Sequence, residues 1–176
     1  MESTGKVVSD LCPVYAPFFG AMGAVSALVF CVLGSAYGTA KAGVGIASVG
    51  VMKPDFIMKA LVPVIFAAAI GIYGLIIAIL INDGVKQPVY PLANAFSDLA
   101  AGLCCGLSGL AAGMAIGVVG DAGVRSAAQQ PQMYIGVVLI LIFAEALALF
   151  GMILGIVLQG RTASETACIP LTPMKM

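Results

Sequence analysis

Glu145 is the residue of this chain whose type and position most demand a chemical role. It stands in the apolar stretch 133–158, and from Gln132 to Gly160 there is no other Asp, Glu, Lys or Arg. A charged side chain at bilayer depth costs about 2.5–3.5 kcal/mol on insertion scales. An acid kept at that cost suits reversible binding of a proton. The plainer alternative is a carboxyl held neutral by a hydrogen bond to a neighbouring helix, a task Gln or Ser would do more cheaply. Low dielectric disfavours the carboxylate. The acid is therefore expected to be neutral against lipid and ionised where a cation and water face it.

Other chemistries lack their residues. The chain has no His, which excludes His-based catalysis and His metal ligands. The five cysteines, Cys12, Cys31, Cys104, Cys105 and Cys168, form no CxxC pair, and three lie in apolar runs. They are expected to be small packing residues rather than a disulfide framework. There is no Walker-type Gly-rich loop, so any nucleotide chemistry would belong to another protein. A net charge of zero gives no pointer to nucleic acid. No metal site and no cofactor is expected; the transported ion would be a proton. The segment Phe66, Ala67, Ala68, Ala69, Ile70 offers methyl groups rather than the several oxygens sodium requires.

Composition identifies the elements that must carry Glu145. The 176 residues are 61% hydrophobic and 9% charged, with mean hydropathy +1.12. Soluble domains carry about 25% charged residues, so this is an integral membrane protein. Four stretches, 15–40, 57–81, 95–119 and 133–158, reach the roughly 20 residues needed to span. In lipid they must be helices, because an open sheet edge would leave backbone groups unpaired. The breaks 41–55, 82–91 and 120–132 are expected to be turns. Glu2, Lys6 and Asp10 precede the first stretch without the pattern of a signal peptide, so that stretch is expected to be retained. Pro63 is expected to kink span two.

The chain also repeats itself. Pro54 and Pro131 open spans two and four, 77 residues apart, as are Tyr73 and Phe150. Gly38 and Gly117 stand at a similar offset, 79. The expected organisation is an N-terminal segment 1–14, a first helical hairpin 15–81, a connecting loop 82–94, a second hairpin 95–158 and a tail 159–176. The two hairpins are parallel repeats, which suit a ring of equivalent units. Position 68, equivalent to 145, is Ala, so the acid occurs once per chain. Gly102, Gly106, Gly109, Gly113, Gly117 and Gly120 keep to one helical face. Span one has a matching line from Gly20 through Ala24, Ala27, Cys31 and Gly34 to Gly38. Such faces let helices approach closely in lipid. They serve either pairing within one chain or, the favoured reading, an inner layer of spans one and three from many copies.

Several strings carry a resemblance. They are Ile140–Gly151 around Glu145, Gly120-Asp121-Ala122-Gly123-Val124-Arg125, Gln129-Gln130-Pro131, Tyr37–Lys41 and Ile72-Tyr73-Gly74-Leu75. Over residues 15 to 160 the chain closely resembles the proteolipid c subunits of eukaryotic V-type proton ATPases. The resemblance implies an all-α membrane protein assembling with copies of itself and sister proteolipids into a rotor ring in lipid. It implies that Glu145 is the proton carrier, that an a subunit opposes it with an Arg, and that ATP is hydrolysed elsewhere. Arg125, Gln129, Gln130 and Pro131 would face a central-stalk d subunit. Sodium-carrying relatives have a Thr-Gln pair where this chain has Ala69-Ile70. Tyr73 is the best candidate to hydrogen-bond Glu145, with simple packing equally open. Two departures are Phe150, where Tyr is usual, and Asp98, read as a solvated or snorkelling acid at the interface.

Lys41, Lys53, Lys59 and Arg125 cluster on the first and third connections, while Lys86 and Arg161 flank the opposite ends. The positive-inside rule thus places loops 41–56 and 120–132 in the cytosol and both termini in the lumen, as the resemblance also implies. The location implied is the vacuole or another acidic endomembrane. The competing readings are a small proton-coupled transporter, for which few residues could line a polar cavity, and a structural tetraspan or channel module, which would leave Glu145 without a purpose.

Overall fold

The computed structural model describes residues 12–85 and 90–160. Four helices are long and apolar enough to cross a membrane. They are α1, Ala16–Met52; α2, Val62–Gly84; α3, Leu92–Gln129; and α4, Met133–Gln159. A 3₁₀ turn, Pro54–Phe56, and one helical turn, Ile57–Ala60, lead from α1 into α2.

The helices outrun their apolar stretches. α1 continues 12 residues past position 40, and α3 continues 10 past position 119. The breaks expected at 41–55 and 120–132 are therefore largely helical, and the connecting segment narrows to the residues between Gly84 and Leu92. Hydropathy marks where lipid begins, whereas a helix ends where its packing ends. At 37 residues and about 1.5 Å per residue, α1 is about 55 Å long, against a hydrocarbon layer of about 30 Å. A small cluster of Val49, Ala60, Val124 and Ala128, backed by Ile46 and Phe56, supports the projecting ends. Lys53 Nζ donates to Ala128 O at 2.6 Å, satisfying a carbonyl at the C-terminal end of α3.

Pro63 does not kink a helix interior. It stands in the first turn of α2, where its missing N–H has no intrahelical acceptor to lose. The chain breaks at Leu61 instead, and Val64 and Ile65 both donate to its carbonyl.

The most extensive helix pair is α1 with α3, and the glycine faces explain it. A Cβ on Gly34 would lie 2.7 Å from Gly109 O, and one on Gly23 would lie 2.5 Å from Asp98 O. Gly102 and Gly113 meet the backbones of Gly23 and Gly34 more closely still. Gly106 faces Ser26 and Phe30, Gly109 faces Cys31 and Ile70, and Gly117 faces Gly38. These small faces close on each other within one chain. Pairing within one chain, one of the two readings open for these faces, is therefore present, and it is compatible with an inner layer built from many copies. Around them lies a core of Ala27, Cys31, Ile70, Ile77, Ile81, Cys105, Ile116, Leu141 and Ala148.

The cysteines divide. Cys31 and Cys105 are buried and free, with sulfurs 4.0 Å apart across α1 and α3, and Cys104 is free and half-buried. These three pack as expected. Cys12 does not: it is disulfide-bonded. It lies outside the helices, beyond the reach of helix packing, and counting cysteines as one set conceals that difference. Cys168, Lys86 and Arg161 lie outside the described residues.

Asp98 also departs from expectation. It is 2% exposed, and the Tyr90 hydroxyl donates to its Oδ2 at 2.5 Å. Tyr90 is buried in a cluster with Ala16 and Ala95. Position near a helix start suggests a solvated acid, but Gly20 and Gly23 bring α1 close enough to bury it. Burial, then the hydrogen bond to Asp98, pushes the Tyr90 phenol above its ordinary range.

Candidate functional site

Buried positions on α4 run Val137, Leu141, Ala148, Gly151 and Gly155. Glu145 is four residues after Leu141 and three before Ala148, so it belongs to the same stripe. That stripe faces α3 and α2. Gly151 packs on Ser108 and Cys104 of α3, and Gly155 on Ala101 and Ile77. The stripe carries Glu145 to the seam between α4 and α2.

On α2 the buried stripe is Pro63, Ala67, Ile70, Gly74, Ile77 and Ile81. Gly74 sets the helix against α1: a Cβ there would meet Cys31 Cβ at 2.5 Å and Ala27 O at 2.7 Å. Its neighbour Tyr73 is thereby turned toward α4. The Tyr73 hydroxyl donates to Glu145 Oε1 at 2.7 Å. Of the two open readings for Tyr73, the structure has the hydrogen bond.

Glu145 and Tyr73 are both half-buried. Phe143, Leu147 and Ile72 beside them are 67%, 60% and 57% exposed. A lone carboxyl with one phenolic donor therefore opens sideways onto an apolar surface. Such a site can bind a proton and present it to lipid or to a partner facing that side. Phe66, Ala67, Ala69 and Ile70 bring only hydrocarbon side chains to this part of α2. No group of three or more His, Cys, Asp or Glu side chains gathers among the described residues. Phe150, 77 residues after Tyr73, is 65% exposed and carries no hydroxyl.

The remaining candidates lie at the far end. Arg125, Gln129, Gln130 and Pro131 are all exposed at the end of α3 and in the following turn. Arg125 Nε pairs with Asp121 Oδ1 at 2.8 Å. An open groove of about 330 Å³ is lined by Arg125, Gln129, Ser48, Val49, Met52, Lys53 and Ala128. Lys53 was missed as a structural residue. Its signal was weak, since a lysine before Pro54 reads as an ordinary turn residue.

Comparison with known proteins agrees with this geometry. The family model for the C subunit of ATP synthase matches twice, at residues 22–81 and 99–158. Those segments are offset by 77 residues, the spacing of Pro54 and Pro131, and that offset pairs Gly38 with Ala115 rather than Gly117. A V-type proton ATPase proteolipid subunit of Dictyostelium discoideum is 59% identical over 93% of this chain and 83% of its own length. A 16 kDa proteolipid subunit of the V-type proton ATPase of Chrysotila carterae is 60% identical, over 92% and 99%. The corresponding 16 kDa proteolipid subunit of Entamoeba dispar is 54% identical, over 93% and 92%. With one family segment on each helical hairpin and relatives matched along nearly their whole lengths, the chain belongs to the ATP synthase C-subunit family, among the V-type proton ATPase proteolipids.

Proposed function

We propose that Glu145 is the proton carrier of a rotor-ring subunit in the membrane sector of a V-type ATPase. The observation that carries this reading is the Tyr73–Glu145 hydrogen bond at 2.7 Å on an apolar lateral face. Protonated, Glu145 crosses the lipid-facing arc of the rotation as a neutral group. Opposite an Arg of the a subunit and a water-filled half-channel, its carboxylate is stabilised and the proton leaves. Each chain carries one proton per turn, since its other repeat has Ala68 at the equivalent place. The subunit itself is non-catalytic, and ATP hydrolysis elsewhere turns the ring through a stalk.

The ring consists of this chain with sister proteolipids in the membrane of a vacuole or another acidic compartment. Both termini face the lumen, and the projecting ends of α1 and α3 face the cytosol. The Lys53–Arg125 groove and the Gln129-Gln130-Pro131 turn then face the central-stalk d subunit. The organisation into hairpins 15–81 and 95–158 fits the two matched segments. In sealed vesicles, Glu145→Gln retains shape and assembly but abolishes ATP-driven acidification. Acidification at the normal rate by that variant ends the assignment.

A further inference from the structure

Arg125 and Lys53 keep hydrogen-bond donors that the fold does not use. Arg125 is exposed, and its Nε pairs with Asp121 Oδ1 at 2.8 Å. That pair fixes the guanidinium and leaves its two terminal nitrogens without a hydrogen bond among the described residues. Lys53 is also exposed and spends one of its three N–H groups on Ala128 O. Both cations stand on the rim of the groove of about 330 Å³ between the ends of α1 and α3, beside Gln129. Buried Val49 and Ala128 make its floor apolar. We infer that this groove is a seat for one acidic side chain of a soluble partner, its carboxylate held between Lys53 and Arg125 and an apolar neighbour on the floor. The seat rests on the stalk contact proposed above and would supply its chemistry.

Position decides between a lipid headgroup and a protein. The apolar stretch 15–40 has 26 residues, about 39 Å of helix, and already exceeds the hydrocarbon layer of about 30 Å. Lys53 lies 13 residues beyond it, about 20 Å further along α1. The headgroup layer is only about 5–8 Å deep on each side. A phosphate of the bilayer therefore falls short of the groove, whereas a soluble chain standing on the helix tips meets it first.

Charge gives the sign of the partner. The rim has two cationic side chains against the one carboxylate of Asp121. The free edge of the Arg125 fork and the Lys53 ammonium can each donate a charge-assisted hydrogen bond to a further carboxylate. The 77-residue offset of the two repeats matches Arg125 with Ser48 and Lys53 with Gln130, both neutral. Each hairpin thus supplies one cation, and the seat forms once per chain, where α1 meets α3.

The test uses the assembled complex in its native membranes. A water-soluble carbodiimide joins an amine to a carboxylate in contact with it, and the digest is read by mass spectrometry. The expected product is Lys53 linked to an Asp or Glu of a stalk protein. Lys53 linked only to Asp55, Asp121 or a neighbouring copy overturns the seat. In a second measurement the stalk is washed from the membranes and rebound at graded salt. Arg125→Gln should weaken rebinding by at least about tenfold, the worth of a hydrogen bond to a charged group. The deficit should shrink as salt rises, and ring size in native gels controls for folding. Equal rebinding by Arg125→Gln overturns the seat and leaves the stalk contact standing. A stalk that does not rebind to the unaltered ring ends the stalk reading and the seat with it, while Glu145→Gln still decides the proton carrier. If Lys53 resists acetylation in stalk-free membranes and reacts only after lipid is removed, the groove holds a headgroup and the seat is overturned.

Discussion

Glu145 was legible because one acid in a 26-residue apolar stretch has no cheap explanation. Its partner was harder to read. Tyr73 lies 72 residues away, and only the packing of Gly74 on α1 turns the phenol toward α4. Asp98 misled, because its burial depends on glycines of another helix. The geometry predicts that Tyr73→Phe assembles normally but transports protons more slowly, by about tenfold, since a hydrogen bond to a charged group is worth about 1.5 kcal/mol. A rate equal to that of the unaltered protein would show that the phenol only packs. A hydrophobic carbodiimide should modify Glu145, because the reaction needs a neutral carboxyl reachable from lipid. Sodium at constant pH should not protect it, since α2 brings no further oxygen ligands beside Tyr73. Clear protection by millimolar sodium would replace the proton assignment with a cation site.

Apolar length revealed four spans at the level of elements but not four helices. α1 and α3 run past the apolar stretches because Val49, Val124 and Ala128 continue their contact beyond them. That contact joins residues far apart in the chain, which no local pattern displays. The glycine faces were legible as faces, and pairing within one chain was one of the two uses the sequence left open for them. A single chain supplies both sides. Gly113→Leu should therefore fail at the level of the folded subunit, giving no membrane-stable protein, because its side chain would enter the Gly34 backbone. Gly136→Leu, where a Cβ meets nothing within 4 Å, should accumulate normally. Equal yields of the two variants in membrane extracts would remove the close-packing account of α1 and α3.

The whole molecule exposes apolar side chains along much of its length: Val25 and Val29 on α1, Leu107 and Val118 on α3, and Phe143 and Leu147 on α4. Lipid can cover all of them, but a ring covers part with neighbouring copies and leaves the Glu145 face outward. The ring has a kinetic signature that a single chain lacks. Every copy must pass the same stationary partner before any copy completes a turn. One Glu145 carrying a bulky carbodiimide adduct can no longer exchange its proton, and it blocks the passage of the copies behind it. Loss of transport should therefore run ahead of labelling, by a factor approaching the number of copies in the ring. Graded carbodiimide treatment, with labelled Glu145 measured by mass spectrometry against residual acidification, gives that factor directly. A transport loss equal to the labelled fraction would mean that each chain works alone, and the rotor reading would yield to that of a small carrier.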